Sequence, residues 1–394
     1  MSAKGCLAAS IKWMRTRDLG IVIGRGQPGP LNAITDVPGV RVGHTTLIAR
    51  DGPLVVGEGP IRTGITVVVP RGPDRRNEPV YAGCHRLNGN GEMTGLEWVR
   101  ESGTLTTPVA MTNTHSVGVV RDALVAASVE HADARTAFWS LPVVGETYDG
   151  LLNDINGFHV HPDHLRAALD SAVGGPVAEG NVGGGTGTVC HEFKGGIGTA
   201  SRVLLAERGG HTVGVLVQAN YGKREWLRVD GVPVGAEIGT SEISSPYDDD
   251  DEPGRAGLPP GSGSIIVVIA TDAPLLPHQC ERVAQRAGLG IARAGGTGGH
   301  TSGDLFIAFS TGNRLPFEDE DRPRTLAYDV RTVGDGVIDA IFDGVIEATE
   351  EAIVNALVAA RTMVGRDGVT AHALPHDRLL EIMARYGRGP SQAV

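Results

Sequence analysis

Lysine is scarce in this 394-residue chain: there are four, Lys4, Lys12, Lys194 and Lys223, and the arginines are scattered. With 35 basic against 46 acidic residues the formal charge is −11, so the electrostatic footprint of a nucleic-acid or anionic-membrane binder is missing. Aromatics are equally thin at 4%, too few for the stacking platforms that hold single-stranded nucleic acid. The four cysteines, Cys6, Cys84, Cys190 and Cys280, stand far apart without a CxxC pair. That spacing argues against structural zinc and a disulfide framework and fits reduced thiols. No apolar run reaches the roughly 18 residues of a membrane span. The stretch from Met1 to Arg17 carries Lys4, Lys12 and Arg15 around a weak apolar patch with no clean cleavage site. The expectation is a soluble cytoplasmic protein that needs no metal or organic cofactor.

Glycine is what the chain has in excess: 57 residues, about twice average usage and without a Gly-X-Y period, hence a backbone of tight turns and close approaches. Short apolar runs bounded by Gly, Pro or Asn predict strands over 64–70, 108–112, 202–206, 212–218, 264–270 and 304–310. Helices are predicted from a cap at Asp272 with Pro274 in the first turn to the glycines 288 and 290, over 341–364, and after Gly118. Strands and helices abound without strict βαβ alternation, which favours a layered α+β fold. Residues 244–263 break the pattern with five adjacent carboxylates, three prolines after them and a Gly-Ser-rich end. This reads as an exposed mobile linker, with Ser264 opening the most strand-like run in the chain directly after it.

A glycine–serine bond between a mobile segment and a buried strand has two readings. Gly-Ser is ordinary linker material. It is also where a chain could cut itself, because glycine leaves its carbonyl accessible and tolerates the strained backbone of an N→O acyl shift. Cleavage would free Ser264 as an N-terminus whose α-amine, with a reference pKa near 7.7–8.0, could take the hydroxyl proton. Nucleophile and base would then be one residue.

The ordered set of motifs resolves the choice. The run from Gly263 to His278 (GSIIVVIATDAPLLPH), continuing to Ser302–Ser310 (SGDLFIAFS), resembles the L-aminopeptidase/D-esterase family, which includes the β-peptidyl aminopeptidases. So do residues 32–44 (NAITDVPGVRVGH), 145–150 (GETYDG), 181–187 (NVGGGTG), 193–201 (FKGGIGTAS) and 217–222 (VQANYG). The resemblance implies a four-layer αββα sandwich, similar to N-terminal nucleophile hydrolases but differently connected. It implies self-cleavage into chains 1–263 and 264–394 that stay together, and oligomers of those heterodimers. It further implies removal of an N-terminal residue from small peptides, amides or esters with a free amine. By motif, Ser264 is the nucleophile and Asn220 the oxyanion-stabilising amide. Ser302 and Asp304 orient or charge-balance the new α-amine, though some members carry Glu where this chain has Asp304. Tyr148 hydrogen-bonds near the reacting centre, and Glu146 grips the substrate's ammonium.

Other readings compete for the same residues. Thr114-His115-Ser116-Val117-Gly118 approximates a nucleophile elbow, with Thr where the elbow needs Gly, and would make an uncut serine hydrolase on Ser116. An ornithine acetyltransferase-like enzyme would place Thr after Gly263, where this chain has Ser. An inactive amine-binding module would keep Glu146 without turnover. The glycines of 183–187 lack the Lys-Ser/Thr ending of a phosphate loop and read as close packing around a site. His159, His161 and His164 with Asp163 count as a metal cluster only by number, since Pro162 breaks any shared helical face.

Overall fold

Runs that are apolar on both faces build the centre of the molecule. The computed structural model describes residues 14–72, 78–130, 138–248, 261–316 and 327–389. In chain order the strands are β1 (Arg41–Ala49), β2 (Ile61–Val69), β3 (Val80–Gly89), β4 (Thr104–Leu105), β5 (Val109–Asn113), β6 (Val143–Thr147), β7 (Val189–Cys190), β8 (Phe193–Lys194), β9 (Gly196–Val203), β10 (Thr212–Gly222), β11 (Gly261–Thr271), β12 (Ser302–Ser310), β13 (Met363–Val364) and β14 (Thr370–Ala371). The helices are α1 (Leu96–Ser102), α2 (Val117–Val129), α3 (Pro162–Asp170), α4 (Val234–Glu237), α5 (Pro277–Arg293), α6 (Asp335–Ala359) and α7 (His376–Arg385).

Two sheets stack face to face. One has the order β1-β2-β5-β6 and the other β4-β3-β12-β11-β10-β9. Three apolar clusters define the layers. Ile266, Val268, Leu305 and Ile307 meet Val68, Met111 and Val143 in the seam between the sheets. On the outer face of the larger sheet, Ile265, Val267 and Phe306 pack under α5 and α6. On the outer face of the smaller one, Ile65, Val67 and Val144 pack under α2 and α3. The order is therefore αββα, mixed α and β as the sequence implied. Successive strand residues face opposite ways, so each strand of the larger sheet supplies both its clusters.

Several boundaries differ from the expectation. The predicted strand at 202–206 is the end of β9, which occupies Gly196–Val203. Helix α5 opens at Leu276 with Pro277 at its first position and passes through Gly288 and Gly290 to Arg293. Pro277, not Pro274, supplies the proline that suits a first turn. Helix α6 starts at Asp335, six residues before the predicted start, and closes at Ala359. The 244–263 stretch is not linker throughout: Ser245 is buried and Gly261 already belongs to β11. The acidic run Asp249 to Glu252 and the prolines after it lie outside the described residues, as do the first thirteen residues. Within the described residues no helix is long and apolar enough to cross a membrane.

Candidate active site

The site lies where strand ends from both sheets converge. Strand β11 pairs antiparallel with β10 and parallel with β12, putting Asn220 opposite Ser264 on one side and Gly303 opposite it on the other. Ser264 shares its strand face with Ile266 and Asn220 shares its face with Leu216, so both side chains point into the seam. Ser302 and Asp304 share their face with Phe306 and point toward the helices. The Ser264 hydroxyl and the Asp304 carboxylate thus stand on opposite faces of the sheet, with the backbone nitrogen of residue 264 in the plane between them.

Ser264 is 4% exposed and its Oγ accepts the Gly303 N–H at 3.2 Å. The carbonyl of Asn220's side chain accepts the Val189 N–H at 2.8 Å, leaving its NH₂ toward Gly263, without an acceptor among the described residues. Gly263 has φ +143°, and a methyl there would stand 1.9 Å from the Asn220 backbone oxygen and 3.1 Å from Asn220 Nδ2.

Ser302 Oγ donates to Asp304 Oδ1 at 2.6 Å, and the Asp304 N–H is held by Asn88 Oδ1 at 2.9 Å. Burial pushes the Asp304 carboxyl up to about 6, partly offset by hydrogen bonds from Ser302 and the Ile265 N–H. No ion pair reaches it among the described residues.

Glu146 and Tyr148 line the same cleft as Gly263 and Ser264, a space of about 220 Å³. Glu146 is 2% exposed; its oxygens accept the Glu92 N–H at 3.0 Å and the Thr114 hydroxyl at 2.5 Å. Burial raises its pKa against those two hydrogen bonds, and again no cation is paired with it among the described residues. Gly91 connects the two halves of the cleft. A methyl there would lie 3.0 Å from both Glu146 Oε1 and Gly303 Cα, the residue whose N–H meets Ser264. Burial also raises the Tyr148 phenol.

Thr114 was legible only as part of a different proposal, the elbow around Ser116. Ser116 is 2% exposed at the start of α2 and does not line this cleft. His159 pairs with Asp154 at 2.8 Å, while His161 and His164 tilt against each other at the start of α3, so the three histidines do not converge. Pro162 opens that helix rather than breaking it. Glycines 183, 184 and 185 are buried in a 3-10 turn, where the Gly184 N–H is bonded by Thr66, in keeping with close packing. What sequence reasoning missed entirely is the support of Asn220: the Val189 amide and the loop behind it, which no side-chain motif signals.

A serine hydroxyl beside its own peptide bond, an amide NH₂ facing that bond and two buried carboxylates without cations among the described residues can support acyl transfer on a substrate bearing an ammonium. Comparison with known proteins agrees. Residues 32–371 match the description "Peptidase family S58". The chain is similar to the beta-peptidyl aminopeptidase BapA of Sphingosinicella microcystinivorans, 50% identical over 97% of this chain and 94% of that one. Its structure is similar to a Burkholderia sp. beta-aminopeptidase, with TM-score 0.86, 55% identity and coverage of 95% and 99% of the two chains. It is similar as well to the L-aminopeptidase D-Ala-esterase/amidase of Ochrobactrum anthropi, described as a prototype for the serine aminopeptidases and a new variant among the Ntn hydrolase fold. There the TM-score is 0.83, with 45% identity and coverage of 95% and 99%.

Proposed function

The chain belongs to peptidase family S58, a serine aminopeptidase, and from that premise we propose that it cuts itself between Gly263 and Ser264 and then removes N-terminal residues through an acyl-enzyme on Ser264. Ser264 Oγ attacks the scissile carbonyl while the free α-amine of the same residue takes the proton. The Asn220 NH₂ stabilises the oxyanion, the ammonium returns its proton to the leaving amine, and water releases the acyl group. The mature enzyme then consists of 1–263 and 264–394 held in one αββα domain, and the cleaved heterodimers associate further. Substrates are small peptides, amides or esters with a free amine. Relatives named beta-peptidyl aminopeptidase and beta-aminopeptidase stand at 50% and 55% identity, so β-amino-terminal amides are the first to assay.

One observation carries this reading: a buried carboxylate, Glu146, without a cation among the described residues, in one cleft with Ser264. An acid whose pKa burial has raised regains a normal charge when an ammonium docks against it. Glu146→Gln is expected to raise KM for free-amine substrates on the order of 10–100-fold, the loss of one charge-assisted contact. Hydrolysis of N-acylated analogues, measured on the same preparation, is expected to be unaffected. Equal losses on both classes would remove the ammonium-gripping role.

Asp304 gives a second test. In the uncut chain its carboxyl is raised to about 6 from 3.8. The folded state therefore binds its proton more tightly than the unfolded state does. The associated stability is full below about pH 4 and is lost as pH rises through 6. In an uncut Ser264→Ala background, adding Asp304→Asn is expected to abolish that loss. Urea titrations should show the difference between the two proteins changing by about 2–3 kcal/mol between pH 4 and 7. Parallel curves would mean that Asp304 already has a cation, and would take away its role as the waiting partner of a new α-amine.

A further inference from the structure

The support of Asn220 contains a buried amine that the mechanism has not used. Lys194 is fully buried, which lowers its pKa to about 7, and its Nζ meets three backbone oxygens, Gly185 at 3.2 Å, Thr188 at 2.8 Å and Gly195 at 2.9 Å, the acceptor set that the three N–H bonds of the ammonium match. The middle contact matters most. Thr188 C=O and Val189 N–H belong to one planar trans peptide, so they point in opposite directions. The carbonyl end meets Lys194 Nζ, and the N–H end meets Asn220 Oδ1 at 2.8 Å. The result is an unbroken line: ammonium, peptide, side-chain amide, and then the Asn220 NH₂ facing Gly263.

The rest of the hairpin is built to hold that line still. Val189 pairs directly with Lys194 across β7 and β8. The two turn residues, His191 and Glu192, are both left-handed, with φ of +49° and +61°, a conformation that costs non-glycine residues energy and persists only when its surroundings enforce it. Arg224 enforces it, donating to the carbonyls of His191 at 3.2 Å and Glu192 at 2.7 Å with its guanidinium 3.6 Å from the Phe193 ring centre. Arg224 therefore grips the turn while Lys194 grips the base.

We propose that Lys194 is the positioning residue for the oxyanion donor: through the Thr188–Val189 peptide it fixes the Asn220 amide and polarises its NH₂. Hydrogen bonds in series strengthen one another when one end is charged and the surroundings are dry. The inference rests on the reading of Asn220 as the oxyanion donor. A group acting this way changes kcat, because the oxyanion exists only at the transition state, and leaves substrate binding alone.

The test uses the full chain in four forms: native, Lys194→Met, Asn220→Ala and the double variant. Two rates are read, the first-order cleavage of Gly263–Ser264 by intact mass and kcat per Ser264 terminus counted by mass. Asn220→Ala should lower kcat on the order of 10²–10³-fold, as loss of an oxyanion donor does. Lys194→Met should lower it at least about tenfold with KM within about twofold, and should add nothing in the Asn220→Ala background. Where processing is too slow to yield termini, the cleavage rate carries the same comparison. If Asn220→Ala is harmless, the oxyanion reading fails and the inference goes with it. If Asn220→Ala is damaging but Lys194→Met has full kcat per terminus, or the two losses multiply, the oxyanion reading stands and the Lys194 proposal is overturned. Lys194→Gln, which keeps two N–H donors without the charge, replaces Lys194→Met if that variant does not fold. Failure of both to fold would assign the amine to the fold and overturn the proposal as well.

Discussion

A Ser264→Ala chain is expected to remain a single species of 41.1 kDa, where the native protein is expected to give chains of about 27 and 14 kDa, the total divided in proportion to residue number. The position of the hydroxyl is enough to expect this. Ser264 Oγ, the proposed nucleophile, belongs to the residue that directly follows the Gly263 carbonyl, and its hydrogen-bond contact, the Gly303 N–H, occupies one of its two lone pairs and leaves the other available. Removing it removes the attack that breaks the chain, and with the chain intact no α-amine exists to act as base. Turnover should fall by two mechanisms at once and so by on the order of 10⁶-fold, the loss seen when a nucleophile that works as part of a unit is deleted. Denaturing mass analysis and an amide assay on one preparation decide it. A Ser264→Ala protein that is still cut, or that is uncut and still hydrolyses amides, would return attention to Ser116.

What the sequence made legible follows from what each residue has to satisfy. Strands β11 and β12 were readable because both of their faces are buried, so Ile265 to Ile269 and Leu305 to Phe309 are uninterrupted apolar runs. Strand β9 was misplaced for the opposite reason. Helix α6 packs so close that a methyl on Gly198 would stand 1.9 Å from the Ala352 oxygen, and the small residues that this contact demands hide the strand signal. Strands β1 and β3 carry Arg, His, Asn and Gly among their apolar positions and end half exposed, so no clean period survives. The boundary of α5 was lost between two prolines, each a plausible first-turn residue.

The site divides in the same way. Ser264, Asn220, Ser302 and Asp304 sit in segments whose order along the chain carries the family resemblance, and the structure brings them to adjacent strand ends. Glu146 alone reads as a solvated loop residue. Its burial depends on Thr114 and the Glu92 amide, 32 and 54 residues away, which no local pattern reveals. Backbone groups are invisible to a motif altogether: the Val189 N–H that holds Asn220 has no residue-type signature. Lys194 appeared only as one of four lysines and inside the 193–201 motif, and neither says what its amine touches.

The second large effect belongs to the other side of the cut bond. Gly263→Ala is expected to slow self-cleavage on the order of 10²–10³-fold while leaving the cut enzyme as active as the native one. Gly263 holds φ at +143°, a region that an L side chain rarely enters and that costs about 1–3 kcal/mol when forced. The added methyl would also meet the Asn220 backbone oxygen at 1.9 Å and its Nδ2 at 3.1 Å, so relief requires moving the scissile carbonyl away from the serine and from the NH₂ that faces it. Displacement of about 1 Å at a reacting centre is enough for a hundredfold loss. Once the bond is cut, residue 263 is a chain terminus free to leave the strand, and the constraint that held it at φ +143° disappears with the bond. The two rates therefore separate: precursor decay, followed by intact mass after synthesis, carries the penalty, and kcat per Ser264 terminus does not. A Gly263→Ala protein that matures at the native rate would show that the glycine conformation plays no part in the cleavage. Equal losses in maturation and in kcat per terminus would place residue 263 in the working site of the mature enzyme, against the order of events in which it is the acyl group of the cleavage and then a bystander.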